Sequence, residues 1–330
     1  MCIIVVSDIV QKQKILEKTM VSEKIILGQG SEFPLNGMLT LPEDAEGPVP
    51  AAVLVHGSGS SNMDEKIFAN TPFKDIAEGL AERGVATIRY DKRSFIYGRK
   101  LVKNTGFTVY EETIEDAILA AAMLREDPRI NAKKVFIIGH SMGGMLAPRI
   151  DAMGGDFAGL IIMAGTPRLL EEVLFEQFDT ITKSYKGLTA FLVNKQASGL
   201  RKKLDGIYEM DDEKAKSIKV MGGTRAFYWK EMGENDVPSF IAKIKKAKPI
   251  LVMQGAKDAQ VSVEYDFNEY EKLLEGRKKV YFRLYPELNH LFMPAVYGDL
   301  KNMKKEYKIP SKVETCVLDD IAAFINKGKL

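Results

Sequence analysis

Histidine, cysteine and tryptophan are scarce in this chain, with three, two and one among 330 residues. The two cysteines, Cys2 and Cys316, lie at opposite ends of the sequence and imply no disulfide framework. Three scattered histidines, with no H-E-x-x-H and no cysteine pair at ligand spacing, give metal catalysis nothing to build on. No apolar run reaches the ~18 residues of a membrane helix. Neither sign of charge dominates: 47 basic against 45 acidic residues leave a formal net charge of +2, which provides no electrostatic footprint for nucleic acid. The one basic cluster, Lys243-Ile244-Lys245-Lys246-Ala247-Lys248, reads as a solvated last helical turn just ahead of a strand. Met1 to Val6 is apolar but short, and without a basic leading segment or a small-residue cleavage site it reads as no signal peptide. The expectation is a cytoplasmic protein that binds neither membrane nor nucleic acid, with a homodimer left open. At 45% apolar and 28% charged residues, the chain has ample material for a large core.

What is present is a strand and helix rhythm. Val21–Leu27 and Leu35–Leu41 read as an edge hairpin turning at Gly28, Gly30 and Ser31. Apolar strands follow at Ala51–Val55, Val85–Tyr90, Val135–Ile138 and Leu160–Met163, and again at Ile250–Met253 and Val280–Tyr285. Helical patterns separate most of them, which predicts a largely parallel sheet. Thr71-Pro72 opens one helix, ended by Gly84; Thr108 with Glu111 makes a capping box for the next. Ser311 with Glu314 is expected to cap a last helix ending at Gly328, with Cys316 on its apolar face. Between 167 and 248 the strands stop and helices such as Leu169–Thr182 take over. The predicted organisation is a leader at 1–20, an α/β core at 21–166 and 249–330, and a helical cap inserted at 167–248.

Gly139-His140-Ser141-Met142-Gly143 follows the strand Val135–Ile138 and precedes a helix. A G-x-S-x-G turn in that setting lifts a serine hydroxyl above the end of a parallel strand. Ser141 is therefore the candidate nucleophile, and a serine hydroxyl needs a base oriented by an acid. His56 sits directly after a strand and His140 sits inside the turn pointing away from Ser141, which leaves His290 in Asn289-His290, beyond the last strand. Asp258, just after Ile250–Met253, is the candidate acid, with Glu171 in reserve. Met142 N–H and an N–H of Gly57-Ser58-Gly59-Ser60, Ser58 ahead of Gly59, are the candidate oxyanion donors. That glycine-rich loop has neither phosphate-binding spacing, so no nucleotide and no other cofactor is expected. Asp91-Lys92-Arg93 reads as an ion-pair turn, the lesser reading being that Lys92 or Arg93 meets an anionic part of the substrate.

These segments together resemble the α/β-hydrolase superfamily, and within it the serine esterases that include the cinnamoyl and feruloyl esterases and the dienelactone-hydrolase-like proteins. The resemblance runs from about Val21 to Lys329. It rests on His56-Gly57-Ser58-Gly59, Arg89-Tyr90-Asp91-Lys92-Arg93, Gly139-His140-Ser141-Met142-Gly143-Gly144, Gly255-x-x-Asp258-x-Gln260-Val261 and Asn289-His290. It implies an eight-stranded, mostly parallel sheet, a helical cap over the strand ends, and cofactor-free hydrolysis through an acyl-enzyme. After Asp91 many relatives carry an Arg-Gly-x-Gly turn, whereas Arg93-Ser94-Phe95 stands here.

The expected function is a serine carboxylic ester hydrolase acting on a small-molecule ester with a small or aromatic acyl group. The nearer alternatives are an acyl-CoA thioesterase and a small-peptide or amide hydrolase; a non-catalytic, ligand-binding hydrolase fold is the alternative of another class. Phe175, Phe178, Tyr185, Phe191, Phe227, Tyr228 and Trp229 offer an aromatic wall, weighed against plain packing within the cap.

Overall fold

The computed structural model describes residues 20–43 and 45–328. All of the leader except Met20, together with Cys2, lies outside the described residues. Eight strands form one sheet: β1 (Met20–Leu27), β2 (Leu35–Pro42), β3 (Val49–Val55), β4 (Ala86–Tyr90), β5 (Ile130–His140), β6 (Leu160–Met163), β7 (Ile250–Gly255) and β8 (Val280–Tyr285). Their order is β1-β2-β4-β3-β5-β6-β7-β8. β1 pairs antiparallel with β2, and β2 with β4; every later pairing is parallel.

Strand alternation divides the core into two layers. Ala51, Val53 and Val55 of β3 face one side, in a layer that also holds Ala117 and Ala121 of α3 (Glu115–Glu126), Leu146 of α4 (Met142–Ile150) and Tyr270 of α10 (Asn268–Leu273). Ala52 and Leu54 face the other, against Phe73, Ile76 and Leu80 of α1 (Pro72–Ala81) and Val317, Ile321 and Phe324 of α12 (Thr315–Lys327). All these side chains are buried, and each contributes about 1.5–3 kcal/mol where it is as large as valine or leucine.

The helix starts differ from expectation in instructive ways. Thr71 occupies the N-cap of α1 but its side chain makes no capping bond; Pro72 alone marks the start. Glu111 does return to the Thr108 N–H at 2.9 Å, yet the turn it opens is a wide π turn, Tyr110–Ile114, which runs into α3. The last helix begins at Thr315 with Glu314 as its N-cap, and Ser311 lies outside it. The Ser311 N–H is taken by Asn70 Oδ1 at 2.9 Å and the Val313 N–H by Asp75 Oδ2 at 3.2 Å, so residues 311–314 run as a strap along α1 before the helix can start. Cys316, on the first turn, is exposed instead of facing the core. The basic run is helical only at its first residue: Lys243 closes the last turn of α9 (Val237–Lys243), the rest of the run lies beyond the helix, and Lys248 pairs with Asp151 at 2.6 Å with its side chain nine-tenths buried.

Two features place a site. β3 is flanked by β4 and β5, so the crossovers from β3 and from β4 leave on opposite faces of the sheet and a crevice opens at the carboxyl ends of β3 and β5. Between β6 and β7 the chain is helical: α5 (Leu170–Ser184), α6 (Gly187–Leu204), α7 (Asp212–Ser217), α8 (Ala226–Glu234) and α9. Residues of α5 and α8 form a wall of that crevice. Among the described residues, no helix is long and apolar enough to cross a membrane.

Candidate active site

Ser141 stands between the end of β5 and the start of α4 with φ 53° and ψ −118°, a conformation that costs a non-glycine residue about 1–3 kcal/mol. Its surroundings enforce the turn. The Ser141 N–H donates to Met163 O at 2.8 Å, and a Cβ on Gly143 would lie 2.1 Å from the Val55 carbonyl oxygen, so α4 crosses the end of β3 at backbone contact distance. Only glycine permits that approach.

His290 lies on the loop after β8, and its Nδ1–H donates to Asp258 Oδ2 at 2.7 Å. Both side chains are buried, Asp258 completely. The remaining acceptor capacity of Asp258 is filled by the N–H groups of Gln260 (2.7 Å) and Val261 (3.1 Å) and by the Gln254 side-chain amide (2.7 Å). A carboxylate held by four donors is fixed in place and oriented toward the imidazole. Glu171, the reserve acid, is elsewhere: burial raises its pKa, and its carboxyl takes a hydrogen bond from the Tyr208 hydroxyl.

The loop after β3 is held from both ends. Gly57 N–H donates to Glu65 Oε1 at 2.7 Å, and the Lys92 ammonium, 1% exposed, donates to the carbonyls of Gly57 (2.9 Å) and Gly59 (3.1 Å). In a trans peptide the N–H points opposite to the C=O, so the bond to the Gly57 carbonyl directs the Ser58 N–H away from Lys92. Ser58, Gly59 and Met142 all line the cavity that Ser141 opens into, of about 460 Å³. The Asp91-Lys92-Arg93 turn is a node of internal pairing: Asp91 Oδ1 takes the Met63 N–H at 2.8 Å, Lys92 lies 3.4 Å from Glu112, and Arg93 pairs with Asp116 and Glu115. Arg93-Ser94-Phe95 itself opens the helix α2 (Arg93–Leu101).

His140 does point away from the serine. Its Nε2 donates to the carbonyl of His290 at 2.9 Å, and its Nδ1 lies 2.9 Å from Glu65 Oε2. His56 donates to Asn62 O at 3.0 Å; its burial lowers its pKa to about 4, so it stays neutral. Of the aromatic residues considered, Tyr228 and Trp229 line the cavity. Phe175, Phe178 and Phe227 pack half-buried against the core, and Phe191 is 63% exposed.

Three side chains of the site carry no motif. Glu65, Glu112 and Gln254 are ordinary polar residues in sequence, and only the fold brings them to His140, the cavity wall and Asp258. The faint signal for Gln254 is its place at the end of a buried strand, where a polar side chain needs a partner.

The sequence model of the alpha/beta hydrolase family matches residues 52–296. Esterase EstD of Thermotoga maritima is 36% identical over 293 residues, which is 89% of this chain and 66% of that protein, so the chain spans just under two thirds of this relative's length. Est1E of Butyrivibrio proteoclasticus, solved with ferulic acid bound, superposes with a TM-score of 0.56 at 17% identity, covering 90% of this chain and 99% of that one. A Pyrococcus furiosus esterase superposes with a TM-score of 0.55 at 13% identity, over 93% of this chain and 91% of that one.

Proposed function

The chain belongs to the alpha/beta hydrolase family, and from that premise we propose that it hydrolyses carboxylic esters through a serine acyl-enzyme. Ser141 attacks the ester carbonyl, His290 takes the hydroxyl proton and returns it to the departing alcohol, and Asp258 fixes the imidazole and stabilises its cation. The N–H groups of Met142 and Ser58 hold the tetrahedral oxyanion, a contribution of about 3–4 kcal/mol per donor. Water then repeats the sequence on the acyl-enzyme. The helices at 167–248 serve as a cap that shapes the acyl pocket. The observation that carries this reading is the fully buried Asp258 carboxylate 2.7 Å from His290 Nδ1, on the loops after β7 and β8, with the His290 backbone held by His140 of the serine turn. The similarity to EstD supports ester chemistry in particular.

The test is hydrolysis of short-chain p-nitrophenyl esters. Ser141→Ala is expected to lower kcat roughly ten-thousand-fold with little change in KM, because it removes a bond formed only during reaction. Turnover near that of the native protein in the variant sinks the reading. A fluorophosphonate provides the parallel check: it labels Ser141 in an active hydrolase and leaves a mere binding protein unlabelled.

A further inference from the structure

The cavity beneath Ser141 is apolar over most of its wall, through residues such as Leu101, Phe107, Val173 and Trp229. Among the described residues, Glu112 is the one charged side chain that lines it. Glu112 is 8% exposed, and the structure favours its anion: burial opposes ionisation, but Lys92 and the hydroxyls of Tyr228 and Ser94 together outweigh it, and its carboxyl titrates below the ordinary carboxylate value. A buried carboxylate placed on a ligand-facing wall is costly unless hydrogen-bond donors there meet its lone pairs.

The geometry leaves room for a ligand. A carboxylate offers about four acceptor positions. Oε2 takes the Tyr228 hydroxyl at 2.6 Å, Oε1 faces the Lys92 ammonium at 3.4 Å, and the hydroxyl of Ser94, another cavity-lining residue, is a third donor to the carboxylate, so one acceptor position is left for a ligand. The Tyr228 hydroxyl is also 4.0 Å from Met142 Sδ, which sets this polar patch beside the residue that follows the nucleophile. The chemistry of the missing partner is constrained by charge. Lys92 already neutralises Glu112, so a cationic ligand would leave an unbalanced buried charge, whereas a neutral donor would not. An acceptor-only group, such as an ether, would face the carboxylate lone pair to lone pair.

We propose that Glu112 makes the cavity selective for esters whose acyl chain ends in a hydroxyl group, which donates to the Glu112 carboxylate while the Tyr228 phenol and Lys92 hold that carboxylate in place. This rests on the esterase reading and deepens it by naming a substrate class. The site discriminates because a hydroxyl supplies a hydrogen bond to a charged acceptor, while a hydrocarbon end strips water from Glu112 and returns nothing.

The experiment uses methyl hexanoate, heptanoate and octanoate, each beside its terminally hydroxylated and terminally methoxylated counterparts. With methyl esters the acyl chain is the part long enough to fill the cavity. The native protein is expected to favour the hydroxylated member by about tenfold in kcat/KM over both counterparts at one chain length or more. In Glu112→Gln, Lys92 retains the amide oxygen and turns the NH2 donors toward the cavity, so the ratio of hydroxyl to methoxy substrate falls close to one. In Tyr228→Phe, which leaves the Lys92 pair intact and frees a lone pair on Oε2, the hydroxyl preference persists. Such ratios are insensitive to a general loss of active enzyme, so a destabilised variant remains informative. The proposal is overturned if no chain length favours the hydroxyl, if the preference survives Glu112→Gln unchanged, or if a fluorophosphonate labels Ser141 while none of the esters is hydrolysed. Failure of both labelling and turnover overturns the esterase reading as well, which separates the two failures.

Discussion

Both ring nitrogens of His140 face acceptors, Glu65 Oε2 at 2.9 Å and the His290 carbonyl at 2.9 Å. A neutral imidazole has one N–H, so a ring between two acceptors must carry a second proton or find one on the carboxyl. Burial opposes charging of both partners, but each is the other's remedy: His140 titrates above its ordinary value and Glu65 below its own. The pair is therefore an imidazolium and a carboxylate, sealed from water. It joins two halves of the site, because Glu65 also holds the Gly57 N–H and His140 holds the backbone of His290. The His140 ring lies 4.8 Å from that of His290. Glu65→Gln can still accept the Gly57 N–H through its amide oxygen, but its NH2 donates where the carboxylate accepted, so the charge pair is lost and the bond to His140 Nδ1 reverses. The variant is expected to keep both contacts and to lose less stability in urea denaturation than Glu65→Ala; an equal loss would mean that the contact to His140 contributes nothing. Glu65→Ala leaves two buried donors without a partner and is expected to cost about 2 kcal/mol or more of stability in urea denaturation.

At the scale of elements, the candidate acid and base are set by how β7 and the loop after β8 lie against each other. Ala256 N–H donates to Tyr285 O at 2.8 Å and Lys257 N–H to Leu288 O at 3.0 Å, so the segment bearing Asp258 is zipped to the one bearing His290. Gly255 is the contact point: a Cβ there would lie 2.3 Å from Leu288 O and 2.6 Å from Asn289 O, both backbone atoms. Gly255→Ala must push the two segments apart, and a displacement of about 1 Å at a reacting group costs on the order of a hundredfold in rate. Steady-state kinetics should record that loss in kcat while the circular dichroism spectrum stays that of the native fold; undiminished kcat would show the loops to be compliant. The strands themselves were legible in sequence, because buried parallel strands are short apolar runs and the edge hairpin turns at glycines of positive φ, Gly28 and Gly30. Helix starts were less so. Ser311 has the residue type and spacing of a cap, but its N–H is claimed by Asn70, 241 positions away, and no local pattern encodes that partner.

On the scale of the whole molecule the same division recurs. The candidates Ser141, Asp258 and His290 could be picked out because each lies just beyond a strand, where the order of elements fixes its neighbourhood; Asp258 was preferred over Glu171 for its place immediately after the strand Ile250–Met253. Glu65, Glu112 and Gln254 were not, since a side chain that supports another is specified only by three-dimensional proximity. Burial of another such side chain, His56, has a consequence for the molecule's response to acid. His56, the first residue after β3, with its ring 5.0 Å from that of Phe73, is protonated in the native state only near pH 4, against an ordinary value of 6.5, chiefly because burial penalises the cation. The unfolded chain thus takes up this proton first as pH falls. Between 6.5 and about 4 it binds more protons than the native state, and stability declines with falling pH by about 3 kcal/mol from this one group. Above 6.5 neither state is charged and the contribution is flat. His56→Gln can still donate to Asn62 O but has no proton to gain, so it lacks that decline. The variant will be less stable at pH 7.5 through lost packing, and its deficit relative to the native protein is expected to shrink by about 3 kcal/mol at pH 4, read from urea denaturation at the two pH values. A deficit that stays constant would mean that His56 is solvated when protonated, and that the loop over it opens in acid.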